Sequence, residues 1–217
     1  MPPRALTFDL YLVTDRRQTQ GRDLLWVLEQ VLEGGVRAVQ LREKDLGGRD
    51  LFLLAEKTKR LCGRYHASLL INDRIDVALG VDAYGVHLGG SSMPAGVARR
   101  LLGSDKLIGV STHSVHEAQA AERAGADFIL FGPVYSTASK AAYGDPQGAR
   151  ALKEVVEKTS LPVYAIGGIK AENITAVKGT GSRGVALISA VMSAADPKRA
   201  AQEILAALKK GSSDRDR

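Results

Sequence analysis

Eight short apolar runs, rich in β-branched residues, recur along this 217-residue chain, and stretches with apolar residues at helical spacing lie between them. The runs are FDLYLVT (8–14), VRAVQLR (36–42), ASLLIN (67–72), AYGVHL (83–88), KLIGVS (106–111), DFILFG (127–132), PVYAIGG (162–168) and GVALIS (184–189). Helices are expected over Leu24–Glu33, Asp50–Arg64, Val115–Ala124, Ala149–Lys158 and Lys198–Lys209. Strands that alternate with helices form parallel sheets, because parallel neighbours need a crossover connection. Eight such units predict a single (β/α)8 barrel of the TIM type. The runs are almost continuously apolar, as strands covered on both faces must be. An open doubly wound sheet is the alternative, but no GxGxxG turn follows the first run. The barrel is expected over residues 1–210, with the polar stretch 211–217 as a frayed tail.

Composition narrows the partners. A net charge of +6 invites a nucleic-acid reading, but the basic residues are scattered among acids and aromatics are only 5%. No zinc-finger or RNP-type spacing is present, so no nucleic-acid partner is expected. No apolar run reaches bilayer length, and MPPRALTFDL lacks the apolar core of a secretory signal, so no membrane partner and a cytoplasmic location are expected. The lone Cys62 cannot build a disulfide or a thiolate metal site. Small anionic molecules are the expected partners, and a homodimer is one expected assembly.

In a barrel of this kind, functional residues sit just past the C-terminal ends of the strands. Read in order, those ends are Thr14-Asp15, Gln40 to Lys44, Asn72-Asp73, His87, Ser111 to His113, Thr137 to Lys140, Gly167-Gly168 and Ile188-Ser189. In QLREK, Arg42 and Lys44 lie two apart and in extended chain share a side, which suits a di- or polyphosphate; a solvated basic loop is the plainer reading. AIGGI lets backbone N–H groups approach a phosphate closely, although a GG pair also makes a tight turn. Ser136, Thr137 and Ser139 offer hydroxyls, and Lys140 an ammonium for a leaving group. They lie in a stretch, Gly132 to Gly148, whose length is usual for a lid or binding loop; a disordered surface excursion is the plainer alternative. His87 and His113 both follow apolar runs. A structural role is the commoner one for such histidines, and His113, further past its strand, is the better proton-transfer candidate. Asp73 offers a carboxylate to a cation, whereas the loop after GVHLG offers only Ser91 and Ser92.

Taken in order, YLVTD, QLREK, INDR, GVHLG, IGVSTHS, GADFILFGPVYSTASK, YAIGGI and ALISA resemble the thiamine phosphate synthase superfamily, which includes the TenI-type thiazole tautomerases. The resemblance covers effectively the whole chain. It implies coupling of a hydroxymethylpyrimidine diphosphate with a thiazole phosphate, giving thiamine phosphate and pyrophosphate. It implies that Gln40, Arg42, Lys44, Asn72, Ser111 and Lys140 hold the pyrimidine diphosphate, with Arg42, Lys44 and Lys140 serving catalysis. Thr137, Ala138, Ser139, Gly168, Ile188 and Ser189 would then hold the thiazole phosphate, and Asp73 would bind Mg²⁺. In the synthases the loop after GVHLG normally carries an aspartate as second Mg²⁺ ligand, and here Ser92 occupies that position. A hydroxyl is a poorer ligand for a hard cation, yet Mg²⁺ commonly takes only one or two carboxylates beside substrate phosphates. The tautomerase alternative needs no metal and would use His113 to move a proton. A sensor that merely binds a phosphate ligand is the alternative from another class; it would not require so many charges at one mouth.

Overall fold

The computed structural model describes residues 6–136 and 145–210. Eight parallel strands close into one barrel in sequential order: β1 (Leu10–Val13), β2 (Ala38–Leu41), β3 (Ser68–Asn72), β4 (Gly85–Leu88), β5 (Leu107–Thr112), β6 (Phe128–Phe131), β7 (Val163–Ile166) and β8 (Gly184–Leu187). Closure is made by β1 against β8, with Leu10 beside Val185 and Leu12 beside Leu187. All eight expected strands are present; seven are trimmed within the expected runs, and β5 runs one residue past its expected end, to Thr112, which pairs with Phe131.

The outer ring holds α1 (Leu24–Glu33), α2 (Gly48–Arg64), α3 (Ile75–Gly80), α4 (Ala95–Leu102), α5 (Val115–Arg123), α6 (Gly148–Lys158), α7 (Ile174–Gly179), α8 (Ser189–Met192) and α9 (Pro197–Lys210). Side-chain caps define two of the starts. The Asp23 carboxylate accepts from Trp26 N at 3.0 Å, and Ser114 Oγ accepts from Glu117 N at 3.1 Å.

Alternation along the strands produces two cores. Leu12, Val39, Leu41, Leu69 and Ile71 point outward and pack under the helices. Tyr11, Val13, Leu70, Phe128, Leu130 and Tyr164 point inward and fill the barrel with Phe8, which precedes β1. The inward set is aromatic near the N-terminal ends of the strands. Towards the C-terminal ends the same inward positions carry Gln40, Asn72, His87 and Ser111.

Candidate active site

The β1 and β2 ends are tied together through a residue that sequence reasoning passed over. Glu43 is buried, and its carboxylate accepts from Thr14 Oγ1 at 2.7 Å and from Arg16 N at 3.1 and 3.2 Å. Thr14 Oγ1 in turn accepts from Arg42 N at 2.9 Å. Backbone alternation explains the arrangement: Glu43 turns back onto β1, which commits Arg42 to the other side, towards the mouth. Outside this clamp, Arg16 grips Asp45 with two bonds of 2.7 Å. Arg42 itself is half-buried, while Lys44 is exposed in the following turn. Among the described residues, neither cation has a carboxylate within ion-pair distance. Gln40 is buried and donates to Tyr11 Oη at 3.3 Å.

At the end of β3, Asp73 adopts a left-handed conformation with φ of 61°, which aspartate tolerates better than most residues. Both of its carboxylate oxygens are engaged: Asn72 Nδ2 donates to Oδ2 at 2.7 Å, and Ser92 Oγ donates to Oδ1. Ser92 Oγ also accepts from Gly89 N at 2.6 Å, which fixes the loop after β4 against the end of β3. Among the described residues no three His, Cys, Asp or Glu side chains gather as a metal site. The protein therefore offers one carboxylate here, with a hydroxyl where a second could stand.

His87 and Ser111 meet inside the barrel, with Nε2 and Oγ 3.0 Å apart. The His87 ring is 2% exposed and lies 5.9 Å from the rings of both Tyr11 and Phe128. Burial, reinforced by the nearby Arg42 charge, lowers its pKa to about 3, so the imidazole is neutral. His113 is exposed, and its Nδ1 bonds the Gly132 carbonyl.

Between the ends of β7 and β8 lies a cavity of about 550 Å³ whose lining includes Ser136, Gly168, Lys170, Ile188, Ser189 and Glu203. Gly167 and Gly168 both have positive φ, 96° and 63°. A Cβ on Gly168 would fall 2.6 Å from the Ser136 carbonyl oxygen, so only glycine lets this wall and the loop after β6 approach so closely. That loop is pinned at its base: Tyr135 N donates to Gly167 O at 3.0 Å, and Gln147 N to Pro133 O at 2.8 Å. The N–H groups of Gly168, Ser189 and Ala190 have no backbone acceptor among the described residues. The cavity thus brings together Gly168, Ile188 and Ser189 as expected, and adds Ser136, Lys170 and Glu203. Thr137, Ala138, Ser139 and Lys140 lie outside the described residues, as does the stretch 211–217.

A closed parallel barrel whose C-terminal mouth holds a guanidinium with no carboxylate partner among the described residues, an Asn-Asp pair and a glycine-walled cavity defines a (β/α)8-barrel enzyme. The chain belongs to the thiamine monophosphate synthase family, whose sequence pattern matches residues 10–191. It is 56% identical over 201 residues to a Geobacter sulfurreducens protein, covering 93% of this chain and 94% of that one. It is 45% identical to the thiamine-phosphate synthase of Clostridium novyi, covering 86% of this chain and 92% of that one. Among solved structures, thiamine phosphate pyrophosphorylase from Pyrococcus furiosus is 37% identical and superposes with a TM-score of 0.87 over 94% of this chain and 96% of that one. A 3-hexulose-6-phosphate synthase, 21% identical with a TM-score of 0.68 over 92% and 99% of the two chains, shares the fold alone.

Proposed function

We propose that this chain is a thiamine-phosphate synthase, joining hydroxymethylpyrimidine diphosphate to thiazole phosphate with release of pyrophosphate. The observation that carries the reading is the presence of two anion-receptive regions at one mouth. Arg42 supplies a half-buried positive charge with no carboxylate partner among the described residues, and the β7–β8 cavity supplies glycine-walled backbone donors. Two phosphorylated substrates need two such regions. A tautomerase acting on one thiazole phosphate needs only the second.

In this reading Gln40, Arg42, Lys44, Asn72, Ser111 and Lys140 hold the pyrimidine diphosphate. Thr137, Ala138, Ser139, Gly168, Ile188 and Ser189 hold the thiazole phosphate. The carbon–oxygen bond to the diphosphate breaks, and the thiazole nitrogen forms the new bond to that carbon. The protein supplies no nucleophile; its cations stabilise the charge that builds on departing pyrophosphate. Asp73, beside the Ser92 hydroxyl, would hold Mg²⁺, a cation that commonly takes only one or two carboxylates beside substrate phosphates and water. When bound, Mg²⁺ adds positive charge against the leaving group.

The decisive assay supplies both substrates with and without Mg²⁺. Thiamine phosphate formed at a catalytic rate, dependent on Mg²⁺, is expected. Turnover of thiazole carboxylate phosphate alone, with none of the coupled product, would favour the tautomerase.

A further inference from the structure

His87 looks at first like filler for the barrel interior, but its two ring nitrogens stand in different surroundings. Nε2 is 3.0 Å from Ser111 Oγ. Nδ1 is buried and is the only fully buried side-chain nitrogen or oxygen without a hydrogen-bond partner among the described residues. That edge of the ring faces Gly109 on the neighbouring strand, where a Cβ would come within 2.5 Å of Nδ1. The bare glycine leaves room for the ring and presents no acceptor to it.

A neutral imidazole carries one proton, on either nitrogen. Were it on Nδ1, a buried N–H donor would go unpaired, and Ser111 would spend its own proton on Nε2. Were it on Nε2, the N–H would be satisfied by Ser111 Oγ, and only a lone pair would go unpaired. Buried orphan N–H groups are rarer than under-satisfied acceptors. A Cα–H beside a lone pair is also a weakly favourable contact, whereas a Cα–H beside an N–H is not.

We infer that His87 is held as the Nε2–H tautomer by its packing against Gly109, and that it thereby fixes Ser111 as a hydroxyl whose proton is free to be donated to an anionic oxygen at the barrel mouth. His87 is a positioning residue in this scheme: it acts on substrate only through Ser111. The inference rests on the reading of the mouth as a diphosphate site, and it adds to that reading a direction for one hydrogen bond. Ser111 becomes a donor to phosphate oxygens, and an acceptor only towards the protein.

Two measurements test it. Long-range ¹H–¹⁵N correlation spectra of the labelled wild-type protein report which His87 nitrogen is protonated, whatever reaction the protein catalyses. Protonated Nε2 is expected; protonated Nδ1 overturns the inference. Calorimetric titration with inorganic pyrophosphate in the presence of Mg²⁺ then reads the donor role. Ser111→Ala and His87→Met are each expected to weaken binding about tenfold, the usual scale for a hydrogen bond to a charged group. His87→Gln, which can keep an N–H near the Nε2 position, is expected to recover most of that loss. Unchanged affinity in Ser111→Ala overturns the donor role alone. A wild-type protein that does not bind pyrophosphate at all overturns it together with the reading of the mouth, while the tautomer result stands by itself.

Discussion

The two ends of the barrel interior are lined by inward-facing positions of one closed sheet, yet they differ in almost every physical property. At the N-terminal end, Phe8, Tyr11, Phe128 and Tyr164 interlock: Phe8 stacks on Tyr164 with centroids 5.2 Å apart, and Phe128 meets Tyr11 edge-on at 5.6 Å. The polar atoms there are used internally, as where Tyr164 Oη donates to Phe8 O at 2.8 Å. At the C-terminal end, Arg42, Asn72, Asp73 and Ser111 are half-buried, and Arg42 lacks a carboxylate partner among the described residues. One end is closed by packing, and the other keeps polar groups open to a ligand. In the proposed reading of the mouth, stability and chemistry are thereby separated along one axis, with His87 and Ser111 at the boundary.

If that separation is real, substitutions at the two ends should fail differently. The largest effect is expected from Phe128→Ala at the packed end, which should destabilise the fold by about 3–5 kcal/mol. Urea unfolding measures it, and turnover per folded molecule should change far less. At the open end, Arg42→Ala should cost on the order of 10²-fold or more in turnover with the diphosphate substrate. Its unfolding midpoint should stay close to wild type; a large shift would mean that Arg42 belongs to the core after all. Glu43→Ala should do both, because it strands the Thr14 hydroxyl and the Arg16 N–H and loosens the backbone that aims Arg42. A loss of roughly 1–3 kcal/mol in stability is expected, together with a raised KM for the diphosphate.

The boundary should show itself in pH. The folded-state pKa of His87 is depressed to about 3, so between that value and the ordinary 6.5 the unfolded chain binds the extra proton. Stability should therefore be lost as pH falls from about 6.5 towards 3, by at most about 1.4 kcal/mol per unit from this residue. His87→Gln should flatten that part of the profile; an unchanged slope would assign the acid sensitivity to other groups. The smallest change is expected from Ser92→Asp. A second hard oxygen beside Asp73 should tighten Mg²⁺ binding in the presence of pyrophosphate, by about tenfold or less. Calorimetry reads this without turnover, and Asp73→Asn should move affinity the other way.

How far the sequence could be read follows the same division. The eight strands were legible because apolar runs covered on both faces leave an unbroken signature. The Gly167-Gly168 wall was legible from its position: a glycine pair alone also makes a tight turn, but at the end of the seventh barrel strand it falls where such folds bind phosphate. Glu43 was not: a carboxylate between Arg42 and Lys44 reads as part of a solvated charge run, and only the path of the backbone turns it inward. Nor could the sequence say that Ser92 donates to Asp73, a contact across 19 residues between two loops. Helices α3, α7 and α8, of six, six and four residues, are too short for a 3.6-residue period to repeat convincingly. The eight-residue α4 lies at the same limit.

The aromatic closure at the N-terminal end also has a consequence for how the chain is made. Phe8 is made first, and Tyr164, whose hydroxyl it receives, follows 156 residues later. The edge of β1 likewise waits for β8, the last strand synthesised. Until then the nascent chain carries an incompletely covered aromatic and an unpaired strand edge, the features that recruit chaperones and seed aggregation. Barrel closure must wait until β8 has been made.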